Sequence, residues 1–188
     1  MIILIGGVSC TGKTLMAQKL MEKYKIPYLS IDHLKMGLIR GSRYCDFDVA
    51  DPDTEITLKI WPVVREIIMT NLENAQHIII EGCYIPPDAI HDFSSKYQKE
   101  IISLFLGFSE EYLRKNLDSG ILSHRSEIEL KEIDEYMSAD NFSKLHEEAR
   151  SKMNNRNYFE IQDDYEKEIS EVYSWIEQKI LEMNAKRT

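Results

Sequence analysis

Five short apolar runs punctuate the chain, and none of them alternates with polar residues. They are IILIG (residues 2–6), IPYLSI (26–31), HIIIEG (77–82), KEIISLFLGF (99–108) and YFEI (158–161). A strand with one wet face alternates, whereas a continuous aliphatic run suits a strand covered on both faces. The segments between them carry the helical period instead: Leu15, Met16 and Leu20 over 13–24; Ile56, Ile60, Val63, Val64, Ile67, Ile68 and Leu72 over 53–75; Tyr165, Ile169, Val172, Ile176, Ile180 and Met183 over 164–184. Strands alternating with helices imply an α/β fold whose parallel sheet has helices on both faces. At 188 residues the expectation is a single domain, 1–188.

Local signals refine the boundaries. Pro27 closes the first helix, and the second strand is expected to end at Asp32. Asp51 before Pro52 marks the start of the long helix, with Pro62 as a kink. Ser109 caps a helix SEEYLRKNLDSG that has two acids in its first turn and Gly120 past its end. Residues 121–153 are helical in pattern but highly charged and thinly apolar, which predicts mobility. Within them Ser126 and Glu129 fit a capping box, and Ser-Ala-Asp-Asn at 138–141 splits the segment into two helices.

The net charge of −9 argues against a nucleic-acid or anionic-membrane surface, because both need clustered Lys and Arg. No apolar stretch approaches the roughly 20 residues of a membrane span. Cys10, Cys45 and Cys83 are odd in number and widely spaced, the pattern of free thiols in a reducing, cytoplasmic setting. None of the five histidines shows metal-ligand spacing. Oligomeric state is left open.

The first apolar run leads into Gly7-Val8-Ser9-Cys10-Thr11-Gly12-Lys13-Thr14, which fits G-x-x-x-x-G-K-[ST] at every fixed position. Glycines let successive backbone N–H groups turn inward around an anion, and the helix N-terminus that follows adds its positive dipole end. Lys13 is placed to reach the β- and γ-phosphates of a nucleotide, and the Thr14 hydroxyl to ligate Mg²⁺. The nucleotide contacts expected are therefore Gly7 to Thr14 and Leu15, with ATP and Mg²⁺ as cofactors. Cys10 lies within this cradle.

With that motif the chain resembles the P-loop NTPase superfamily. Its short length and charged helical excursion before the fifth strand look like the nucleoside monophosphate and small-molecule kinases, such as shikimate kinase, chloramphenicol phosphotransferase, the zeta-toxin kinases and adenylate kinase. The resemblance implies the three-layer P-loop NTPase fold: five parallel strands, the nucleotide at their C-terminal edge, and a helical lid at about 121–153. It further implies that Asp32, in LSIDHLKMGL, contacts or deprotonates an acceptor hydroxyl; the alternative for Asp32 is an N-cap. Glu81-Gly82 matches the position of a second acidic motif that holds Mg²⁺ or contacts substrate. Arg114 and Arg125, with Arg150 as a further candidate, stand where the group carries lid arginines onto the phosphates.

Arg65 matches the helix that grips substrate in shikimate kinases, with a snorkelling surface arginine as the alternative. Lys35, Arg40 and Arg43 follow Asp32 and suit an anionic acceptor. Gly-Cys-Tyr-Ile-Pro-Pro after Glu81 departs from adenylate kinases, which show Asp-Gly-Phe-Pro-Arg there. The expected activity is transfer of a γ-phosphoryl group to a hydroxyl of a small molecule. The alternatives are a nucleoside monophosphate kinase and a nucleotide-binding switch with negligible turnover.

Overall fold

A computed structural model describes residues 1–124, 138–152 and 157–185. Strands β1 (Ile2–Gly7), β2 (Tyr28–Ser30), β3 (Ile78–Glu81), β4 (Ile101–Phe108) and β5 (Tyr158–Ile161) form one parallel sheet in the order β2-β3-β1-β4-β5. The helices are α1 (Lys13–Tyr24), α2 (Ile31–Gly41), α3 (Asp53–Glu73), α4 (Ser95–Gln98), α5 (Glu110–Asn116), α6 (Ala139–Lys152) and α7 (Tyr165–Ala185). The chain divides into two compact units, Met1–Gly6 with Lys13–Ser103 and Gly7–Gly12 with Leu104–Thr188.

In the first unit, Ile2, Ile3, Leu4 and Ile5 of β1 are fully buried. Burying each such side chain contributes about 1.5–3 kcal/mol. β1 pairs with β3 from Ile2 opposite Ile78 to Ile5 opposite Glu81, and β2 pairs with β3 from Tyr28 opposite Ile79 to Ser30 opposite Glu81. This register levels the carboxyl ends of the three strands, so Ser30 and Glu81 stand in one row beside Ile5. Helix α1 packs on β2 and β3 through Met16, Ala17 and Leu20. Helix α3 buries Ile56, Ile60, Trp61, Val64 and Ile68 and continues through Pro62. Pro62 is exposed, so water can reach the Leu58 carbonyl that it leaves without a helical donor.

The boundary around Asp32 differs from expectation, and the start of the long helix does not. β2 stops at Ser30, and buried Ile31 already begins α2, so Asp32 lies in the first helical turn instead of closing the strand. Ser30 occupies the N-cap position, which removes the N-cap role considered for Asp32. α3 begins at Asp53, with the Pro52 carbonyl accepting from the Glu55 and Ile56 N–H groups.

In the second unit, residues 104–106 and Phe108 of β4 form a buried run, with β5 paired alongside from Phe105 opposite Tyr158 to Phe108 opposite Ile161. Ser109 caps α5 as its sequence implies, its hydroxyl oxygen accepting from the Tyr112 N–H at 3.1 Å. Gly120 does not end that helix. α5 gives way at Leu117 to a wider π-type turn, Leu117–Ile121, with Gly120 inside it. Helix α6 starts at Ala139 with Ser138 before it, so Ala139, Asp140 and Asn141 open a helix; the expected first lid helix with Ser126, Glu129 and Arg125 lies outside the described residues.

Sequence also understates how α6 is anchored. Phe142 and His146 are 3% and 1% exposed; their rings stack on each other, and the His146 ring lies tilted against Phe108 at 5.5 Å between centroids. Phe108 stacks in turn on Tyr112 at 5.1 Å between ring centroids. His146 Nδ1 accepts the Phe108 N–H at 3.0 Å, which satisfies the last backbone donor of β4 from a helix 38 residues away.

Candidate functional site

The segment from β1 to α1 has a backbone that only part of its sequence tolerates freely. Gly7 and Gly12 hold φ of +131° and +84°. A Cβ on Gly7 would lie 2.2 Å from the Leu106 carbonyl oxygen, and one on Gly12 would lie 2.0 Å from the Tyr165 hydroxyl. Both positions therefore require glycine for conformation and for space. Cys10 also has a left-handed φ, +63°, which costs a residue with a side chain about 1–2 kcal/mol. The fully buried Thr11 offsets some of this by donating its hydroxyl to the Val8 carbonyl at 2.9 Å, closing the loop on itself.

Directly after Gly12 the chain enters α1 at Lys13, which is 6% exposed, followed by half-buried Thr14 and Leu15. The first N–H groups of such a helix have no intrahelical acceptor. The glycine conformations, the space denied to a Cβ and the Lys-Thr pair at the helix start fit the phosphate chain of a nucleotide. No group of three or more His, Cys, Asp or Glu stands together among the described residues. Mg²⁺ is ordinarily held through substrate phosphates and one or two protein oxygens, and Thr14 and Glu81 carry oxygens of that kind.

Two of the residues expected at an acceptor, Asp32 and Lys35, come together within the first unit. Asp32 and Lys35, one turn apart on α2, approach to 3.6 Å, with side chains 28% and 12% exposed. Lys35 Nζ also donates to the Tyr84 hydroxyl at 2.7 Å and lies 4.8 Å from the centre of that ring. Tyr84, 4% exposed, follows Glu81-Gly82-Cys83 in the turn after β3. Burial raises its phenol pKa far above the ordinary value, and the negative charges of Asp53 and Asp32 add to the rise, followed by Cys83 and a hydrogen bond to Asp53. Tyr84 and Asp53 thus join Asp32 and Lys35, although sequence reasoning singled out neither. The one signal for Tyr84 is its place, three residues beyond the acid that ends β3.

Glu81 is 1% exposed at the end of β3, and Gly82 beside it has φ of +156° with Ile31 packed where a Cβ would project. The predicted arginines are spread out. Arg65 is half-buried on α3 and pairs with its neighbour Glu66 at 2.8 Å. Arg40, in the last turn of α2, and Arg43 are exposed. Arg114, 55% exposed on α5, pairs with Glu110 at 3.1 Å and with Asp140 of α6 at 3.3 Å. Its guanidinium pKa is raised, first by the hydrogen bond and charge of Glu110 and then by Asp140. Arg150 pairs with Glu160. The three cysteines are free thiols, and no helix among the described residues is long and apolar enough to cross a membrane.

The parallel sheet, the glycine loop between β1 and α1 and the Lys-Thr pair that follows define a P-loop kinase-like α/β fold. Solved structures share it over nearly their whole length. Shikimate kinase from Aquifex aeolicus matches with a TM-score of 0.55 at 16% identity, covering 96% of this chain and 99% of that one. Shikimate kinase from Bacteroides thetaiotaomicron gives 0.52 at 16%, covering 97% and 98%. A gluconokinase from Sinorhizobium meliloti gives 0.51 at 13%, covering 99% and 97%. At these identities the likeness is one of fold. No family model matches the sequence, and no curated protein matches it.

Proposed function

We propose that the protein is an ATP- and Mg²⁺-dependent kinase that phosphorylates a hydroxyl group of a small molecule. The observation that carries the reading is the loop itself: Gly7 and Gly12 at left-handed φ with no room for a Cβ, running directly into Lys13 and Thr14 at the start of α1. The similarity of fold to shikimate kinases and a gluconokinase supports it.

When bound, the metal–nucleotide donor supplies the transferable phosphoryl group and the charge neutralisation that transfer needs. In this reading the loop N–H groups hold phosphate oxygens and Lys13 adds a cation beside them. The Thr14 hydroxyl and the Glu81 carboxylate would be the protein-side oxygens of such a metal. Asp32 orients the acceptor hydroxyl and takes its proton at a carboxylate oxygen, which fits a partly exposed acid at the carboxyl edge of a parallel sheet. Arg114 would assist only after leaving Glu110 and Asp140, and Arg125 is proposed from sequence alone.

The test separates binding from chemistry. Lys13→Ala should lose ATP affinity, while Asp32→Asn should keep it and lose transfer across a panel of polyols, hydroxy acids and nucleoside monophosphates. An Asp32→Asn protein that transfers phosphate as fast as the parent would remove Asp32 from the mechanism, and acceptance by nucleoside monophosphates alone would replace the hydroxyl-kinase reading.

A further inference from the structure

The cations that follow the acceptor-side acid in sequence suggest a grip on an anionic acceptor, but the side-chain arrangement of the first unit gives the best-placed one another task. Lys35 faces Asp32 at 3.6 Å and donates to Tyr84 at 2.7 Å, and only 12% of its side chain is exposed. An ammonium has three N–H donors and a strongly hydrated, compact charge. With one donor on a phenol, a carboxylate alongside and little open surface, it presents almost nothing to an incoming anion. Of the other cations expected on this side, Arg65 pairs with Glu66, and Arg40, in the last turn of α2, and Arg43 are exposed to water.

Two carboxylates bear on the same phenol as Lys35. Asp53, from the first turn of α3, and Asp32, from the first turn of α2, both bear on the Tyr84 hydroxyl. Against these two acids at the Tyr84 hydroxyl stands the ammonium of Lys35. A ligand carboxylate entering here meets like charge, which costs binding steeply where water is partly excluded. A neutral hydroxyl meets hydrogen-bond acceptors on the carboxylates and no repulsion.

We infer that Lys35 is the counter-ion of Asp32, held in place by Tyr84, and that the acceptor is an uncharged hydroxyl compound such as a polyol, not an anionic hydroxy acid. The inference rests on the kinase reading for the word acceptor. Its structural half, that this cluster disfavours carboxylates, does not depend on that reading. Lys35 and Tyr84 are positioning residues in this account, because both act through Asp32.

Two measurements test it. The first compares matched acceptors, glucitol with gluconate and methyl shikimate with shikimate, in an ATP-dependent transfer assay. The neutral member of a pair should be favoured about tenfold or more in kcat/KM. Asp53→Asn should narrow that preference through the KM of the anionic member. Tyr84→Phe, which frees Lys35 from its 2.7 Å contact, should lower kcat for the neutral acceptor with KM nearly unchanged, whereas a merely structural loss would move both. Preference for the anionic member overturns the inference and leaves the kinase reading intact.

The second measurement needs no turnover: the ring and hydroxyl resonances of Tyr84 are followed by NMR while acetate is added. The wild type should show no saturable change, and Asp53→Asn should gain one. Saturable acetate binding to the wild type overturns the inference. A silent titration, together with failure of every acceptor in the assay, supports the repulsion of carboxylates at this cluster while refuting the kinase reading and, with it, the claim about the acceptor.

Discussion

Replacing Gly12 by alanine separates two costs that the glycine loop imposes on sequence. The first is conformational: at φ of +84° a side-chain-bearing residue loses roughly 1–2 kcal/mol. The second is spatial, because the new Cβ would stand 2.0 Å from the Tyr165 hydroxyl, and overpacking of this kind costs about 1–3 kcal/mol. Only the hydroxyl causes the clash; the next nearest atom, Tyr165 Cζ, lies at 3.4 Å, an ordinary contact. Tyr165→Phe should therefore restore the spatial part and leave the conformational part. Urea denaturation of the four proteins in this double-mutant cycle should give a favourable coupling of about 1–3 kcal/mol between Gly12→Ala and Tyr165→Phe. Nucleotide-analogue affinity, measured on the same set, should stay low in both Gly12→Ala proteins, since the backbone remains strained. Additivity within about 0.5 kcal/mol would refute the claim that Tyr165 closes over the glycine.

His146→Phe keeps ring stacking but removes the acceptor of the Phe108 N–H, and it should cost about 1–3 kcal/mol in denaturant stability, with His146→Gln recovering part. Cys10→Gly relieves the left-handed φ at that position but adds chain entropy to the unfolded state, so stability should change by less than about 1 kcal/mol. Alkali should unfold the protein. Burial, and then Glu160, push the Tyr158 phenol up to about 12 against the opposing influence of Arg150, and Tyr84, Tyr112 and Tyr173 are raised as well. A folded state that keeps these protons where the unfolded chain loses them is fully stabilised below about pH 10. Stability then falls as pH rises toward 12, by up to about 1.4 kcal/mol per pH unit for Tyr158, less what solvent screens. A flat denaturation midpoint between pH 9 and 11.5 would contradict this.

The parts of the fold visible in sequence are those fixed by local chemistry. The unalternating run at 2–6, the glycines at 7 and 12 and the cap at Ser109 each have a physical requirement that few residue types meet, and each appears where expected. The parts that were missed depend on distant partners. Asp32 reads as a strand end because the aliphatic run IPYLSI carries on to Ile31, yet Ile31 is buried as the first residue of a helix, so periodicity could not place the boundary. Tyr84 reads as an ordinary loop aromatic until the contact with Lys35, 49 residues earlier, is known. His146 has no metal-ligand spacing, and its role as a backbone acceptor arises from packing against Phe108 and Phe142.

The most direct test of the account is to observe the product. Incubated with Mg²⁺-ATP and a polyol panel, the protein should convert γ-phosphate into a phosphomonoester of the acceptor, seen by ³¹P NMR together with ADP. The signal should be lost in both Lys13→Ala and Asp32→Asn. ADP and free inorganic phosphate with no phosphoester, unchanged by Asp32→Asn, would contradict the account.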